Sequence, residues 1–103
     1  MERIDKIKAM LAEQPDDNFL QHALALEQIK IGKEEEALQL FRSILLRDPG
    51  YIGSYYHLAK LLERKGEEEE AIRVYEKGME EARKANDMHA FGELRSAYEE
   101  LTL

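Results

Sequence analysis

The chain writes one phrase twice. "GKEEEALQLF", beginning at Gly32, returns as "GEEEEAIRVY" at Gly66, 34 residues later (66 − 32). With residues 18–51 laid over 52–85, Leu24 falls on Leu58, Ala25 on Ala59, Gly32 on Gly66, Glu34 to Glu36 on Glu68 to Glu70, and Ala37 on Ala71. Where identity is lost, apolar character is kept: Leu38 matches Ile72, Leu40 Val74, Phe41 Tyr75 and Leu45 Met79. A fixed period of this length means that each unit is one supersecondary element, able to bury its apolar face only by stacking on its neighbours.

Each unit divides at its glycine into two amphipathic helices, at 18–31 and 34–47, then at 52–65 and 68–85. Gly32 and Gly66 supply the left-handed residue that ends a helix. The glutamates behind each glycine lie in the first turn of the next helix, where carboxylates complement the positive end of the macrodipole. Ala37 and Ala71 are small where the two helices of a pair come close. One period back, Ile4 lies under Leu38, Ile7 under Phe41, Met10 under Ile44, Leu11 under Leu45 and Pro15 under Pro49. Residues 1–15 therefore read as the second half of a truncated unit. Residues 87–102 carry Phe91, Leu94, Tyr98 and Leu101 on one face and Glu93, Arg95, Ser96, Glu99 and Glu100 on the others, as a capping helix does. The expectation is one all-α domain of about six stacked antiparallel helices over a continuous core: 1–15, 18–51, 52–85 and 87–102.

This pattern resembles the tetratricopeptide repeat. The second unit matches it at Tyr55, Leu58, Ala59, Leu62, Gly66, Ala71, Tyr75 and Gly78, and the first at Leu24, Ala25, Gly32, Ala37, Phe41 and Pro49. The first unit departs at Gln21, Gln28 and Ile44, and the second carries Arg83 where the closing proline would sit. The resemblance implies a short right-handed superhelix and a small, bacterial-type scaffold without chemistry of its own. It further implies that the first helix of each pair lines a concave groove holding a peptide segment of another protein. The positions that would face the groove are Phe19, His22, Ala23, Leu26, Ile29 and Lys30, then Gly53, Tyr56, His57, Lys60, Glu63 and Arg64. Among these, Phe19, His22, Leu26, Lys30, Tyr56, His57, Lys60 and Arg64 are the candidate partner contacts. Lys60 and Arg64 would form a positive spot there, or pair with Glu63 and nearby glutamates along the helix surface. Phe19 and Tyr56 are candidates for the core as well as for the groove. Ala23 and His57 stand where the chaperone-tail clamps of this family have asparagines, so that specificity is not implied.

Two other readings compete with the adaptor. In one, the chain pairs with itself, sealing an apolar end through Ile4, Ile7 and Leu11, or through Phe91 and Tyr98. In the other, His22, His57 and His89, all in first-of-pair helices, converge on a metal ion or a reaction centre. Against that, there is no HExxH pair, no serine of Ser43, Ser54 and Ser96 in a GxSxG elbow, no phosphate-cradling glycine loop and no cysteine. No enzyme and no cofactor is expected. The net charge of −7 repels nucleic acid and anionic membrane surfaces. No apolar run approaches the roughly 18 residues of a membrane span, and "MERIDKIKAM" is too charged for a secretory signal. The expected location is the cytoplasm and the expected partner another protein or peptide.

Overall fold

The computed structural model describes residues 2–103. Among them lie six α-helices: α1 (Glu2–Glu13), α2 (Asn18–Lys30), α3 (Glu34–Arg47), α4 (Gly53–Arg64), α5 (Glu68–Lys84) and α6 (Met88–Thr102). Each packs on the next in chain order and α4 also touches α6, which makes a slab of 41 × 29 × 20 Å. The period predicts this order, since a repeated helix pair joined by short turns can only stack.

The helix ends follow from single residues. Asp17 and Asp87 open α2 and α6 by accepting the N–H of Leu20 at 2.9 Å and of Ala90 at 3.1 Å. Helices α3 and α5 have no side-chain cap and carry Glu34 to Glu36 and Glu68 to Glu70 in their first turns instead. Three turns close with a left-handed residue: Gly32 at φ 81°, Gly66 at φ 86° and Asn86 at φ 57°. The N–H behind each reaches back to the carbonyl of Gln28, Leu62 or Ala82 at 2.8, 2.9 and 2.8 Å. The two glycines match expectation; Asn86 was not foreseen. Pro49 pushes Asp48 to φ −140° and ψ 85° and stops α3 at Arg47. With Arg83 in the place of that proline, α5 runs to Lys84, three residues past the equivalent point (47 + 34 = 81), and needs its own stop.

The departures of the first unit also have reasons. Gln21 replaces Tyr55, yet its Nε2 donates to the Pro15 carbonyl at 2.8 Å, as the Tyr55 hydroxyl donates to the Pro49 carbonyl one period on. Both side chains tie a groove helix to the preceding turn. The amide needs less room than the phenol, and Ile44 stands where the second unit has Gly78. A Cβ on Gly78 would meet Tyr55 Cβ at 2.7 Å and Cγ at 2.9 Å. Gln28, at the place of Leu62, is buried and its Oε1 meets no donor.

The core forms three clusters rather than one undivided body. Ile4, Ile7 and Leu24 join α1 to α2; Phe41, Leu38, Leu58 and Leu62 fill the centre; Tyr55, Tyr75 and Leu94 hold α6. Leu40 bridges the first two, and Leu45, Val74 and Leu101 bridge the last two. Ile4 and Ile7 are thus inside the protomer, at 7% and 3% exposure, and offer no surface for the self-association expected through them. The alanines at the tight crossings, Ala37 and Ala71, are fully buried.

Candidate functional site

Helices α2, α4 and α6 lie on the same side of the slab, and two hollows open between their side chains. The first, about 490 Å³, is lined by Phe19, Ala23, Leu26 and Ile29 on α2, with Arg3 and Lys30 at its rim. The second, about 380 Å³, lies toward α6 and is lined by Tyr56, Ile52, Ala90, Glu93 and Leu94. His22 and His57 border both hollows and form the wall between them.

That wall is built from rings. The imidazoles of His22 and His57 meet edge to face at 5.5 Å, and His57 stacks on Phe41 at 5.8 Å with 13° between the planes. His22 packs edge-on to Phe41 at 5.3 Å, and its Nδ1 shares a hydrogen bond of 2.9 Å with the hydroxyl of buried Ser54. Burial pushes both imidazoles below their ordinary value; the charge of His57 adds to this at His22, and that of Arg64 at His57. At neutral pH the wall is therefore uncharged and half apolar.

The candidate residues separate into two groups. Phe19, His22, Leu26, Lys30 and His57 surround the first hollow, and Tyr56 joins the two histidines around the second. Phe19 is 71% exposed and Tyr56 38%, so neither aromatic belongs to the core. Lys60 and Arg64 line neither hollow. Lys60 lies 3.4 Å from Glu63 and 5.7 Å from the Tyr56 ring centre, and Glu63 in turn accepts the Tyr75 hydroxyl. Arg64 reaches Glu34 at 3.1 Å. The positive spot expected at these two cations is balanced by carboxylates of the chain itself. The cations beside the apolar strip are Arg3 and Lys30, which share the single carboxylate of Glu27 at 3.4 and 2.9 Å. His89 is exposed on α6, 3.6 Å from Glu93, and does not join His22 and His57. Among the described residues no group of three or more metal-ligating side chains is arranged to hold an ion, and no helix is long and apolar enough to cross a membrane.

Arg3 and Glu93 are not among the candidate contacts because both lie outside the two 34-residue units at 18–51 and 52–85. The 34-residue register does contain a signal for the first, placing Arg3 under Ala37 (3 + 34), where an arginine has no role in packing. For α6 the matching offset is 36, which sets Phe91 on Tyr55, Leu94 on Leu58 and Glu93 on His57 (57 + 36).

Comparison with known proteins agrees with this architecture. Family profiles described as tetratricopeptide repeat match residues 29–97 and 1–55. A crystal structure of a tetratricopeptide repeat domain protein from Salinibacter ruber is similar at 38% identity and a TM-score of 0.81, covering 84% of this chain and 96% of that one. A solution structure of a protein from Bordetella parapertussis is similar at 26% identity and a TM-score of 0.82, covering 96% and 86%. The crystal structure of MamA shares the fold at 23% identity and a TM-score of 0.77 over 82% of this chain and 49% of that one. Comparison with curated proteins found no match. Tetratricopeptide repeats generally mediate contacts between proteins and are typically scaffolds rather than enzymes. The repeat, the helix pairs and these matches together place the chain in the tetratricopeptide repeat family.

Proposed function

We propose that this protein is an adaptor that holds a segment of another protein in its concave groove. The observation that carries the reading is the open apolar strip of Phe19, Ala23, Leu26 and Ile29 beside a wall of neutral imidazoles. An exposed strip of this kind gains free energy when apolar side chains cover it, at about 25 cal/mol per Å² removed from water. Its rim adds a preference. Arg3 and Lys30 face one carboxylate between them, leaving one positive charge in a chain of net charge −7. The fitting segment carries a large apolar side chain with an acidic one close by.

The test is a pull-down from lysate of the native host with the wild type and with Phe19→Glu/Tyr56→Ala, both positions being exposed. The expected result is loss of the specific partners at an unchanged melting temperature. A variant that keeps every partner of the wild type overturns the reading.

A further inference from the structure

The repeat contains a seat that is filled twice and empty once. Helix α5 lies across the α3–α4 pair, and the crease it leaves against α3 is lined by Arg42, Leu45, Leu46, Pro49 and Tyr55. Helix α3 lies likewise over the α1–α2 pair, with Leu40 against the cluster of Ile4, Ile7 and Leu24. One period on, the same positions are Glu76, Met79, Glu80, Arg83 and, at the α6 offset of 36, Phe91. These five, with Lys84 and Tyr98, line an open hollow of about 460 Å³ over the α5–α6 pair. It is the floor on which a next helix would lie.

We propose that this terminal seat docks an amphipathic helix of another protein, one with a basic residue in its first turn. The stripe such a helix needs can be read from α5, whose Ala71, Val74, Tyr75 and Gly78 face the filled seat. The charge can be read from the walls. In the filled seat Arg42 Nη2 donates to both carboxylate oxygens of Glu70 on α5, at 2.9 and 2.8 Å. In the empty seat the place of Arg42 belongs to Glu76 (42 + 34), so the polarity is reversed at that point, while Arg83 lies over the Phe91 ring at 4.9 Å. Glu76 accepts the Tyr98 hydroxyl at 3.3 Å, and among the described residues no cation pairs with it. A lysine or arginine where α5 has Glu70 answers that carboxylate.

A second copy of this chain answers it badly. Its α1 is the helix that would continue the array, and two periods of register (70 − 68 = 2, 71 − 68 = 3) put Glu2 at the place of Glu70 and Arg3 at that of Ala71. Glu2 would meet Glu76. Arg3 would bring a second guanidinium into a joint where Arg95 already takes the place of fully buried Ala59 (59 + 36). Like charges at both points disfavour head-to-tail copies, and the proposal commits instead to a helix with a cation at that position.

The experiment titrates the full chain into fluorescein-labelled peptides of residues 67–85, native or carrying Glu70→Arg, and follows anisotropy. The Glu70→Arg peptide binds saturably and about five- to ten-fold more tightly than the native one, the range expected when an exposed like-charge pair becomes an ion pair. Glu76→Lys in the protein, a surface change that leaves the core alone, inverts that order, and Phe91→Glu weakens both. Absence of saturation, an order that Glu76→Lys leaves unchanged, or binding lost in Phe19→Glu/Tyr56→Ala of the groove overturns the proposal. So does a wild-type mass that doubles with concentration and returns to one copy in Phe91→Glu, which gives the seat to a second copy. Loss of groove partners leaves this result untouched, so the two sites fail separately.

Discussion

A methyl group at position 78 would stand 2.7 Å from Tyr55 Cβ, closer than real side chains pack, and a tight 3.1 Å from Leu94 Cδ1. In an exposed helix, replacing glycine by alanine gains about 1 kcal/mol. At Gly78 overpacking wins, and Gly78→Ala is expected to destabilise by about 1–3 kcal/mol, which thermal melts will show as a fall of several degrees. Gln28 gives the opposite sign. Its buried Oε1 meets no donor, and the same position one period on is Leu62, so Gln28→Leu should raise stability by about 1 kcal/mol in urea titrations. The groove histidines add a dependence on acid. Burial lowers His22 and His57 from 6.5 in the folded chain, so the unfolded chain binds more protons as pH falls below neutrality. Their contribution is present above about 6.5 and is lost as pH drops through the folded values. Melting temperatures measured from pH 7.5 down to 5 should decline, and His57→Leu should flatten the decline. Glu27, Glu35 and Glu81, held low by hydrogen bonds from Lys30, Gln39 and Lys77, yield theirs only below about 4.5, outside that window.

At the scale of the helix, period and punctuation made most of the fold legible. The glycine turns, the first-turn glutamates, Pro49 and the alanines at the crossings each have a local physical meaning, and the helix bounds follow them to within a residue or two. What escaped notice lies where the period changes. The longer α5 was expected over 68–85, but the growth of the matching offset from 34 to 36 and the stop at Asn86 in a left-handed conformation were not. Asparagine tolerates that conformation because its short polar side chain bonds locally, whereas alanine carries the Cβ cost of roughly 1–2 kcal/mol. Asn86→Ala should therefore lower stability by about 1 kcal/mol in thermal melts, while Asn86→Gly should not. The groove was legible in the same uneven way. Phe19, Leu26 and Tyr56, carried over from the family resemblance, line the hollows, but Lys60 and Arg64, carried over with them, are drawn off by Glu63 and Glu34, a carboxylate distribution that the resemblance does not encode. Glu93 reaches its hollow from a helix whose offset of 36 only the stacked structure shows, whereas Arg3 already stood in the 34-residue register, under Ala37.

At the scale of the whole molecule, the charges at the two ends of the described helix stack differ from those inside it. Arg3 and Arg95 replace alanines of the complete units, and Glu76 replaces an arginine. Ile4 and Ile7, two of the residues expected to join copies, are buried against Leu24, whereas Phe91 and Tyr98 line an open hollow. We infer from these features a protein that remains a single copy in solution, the condition under which the proposed groove and seat are free for other proteins. Light scattering behind a sizing column, across a hundred-fold range of concentration, tests that claim most directly. A mass near 12.0 kDa throughout is the predicted result. A mass that rises toward twice that value with concentration would mean that one of these surfaces is already taken by a second copy, and would contradict the account.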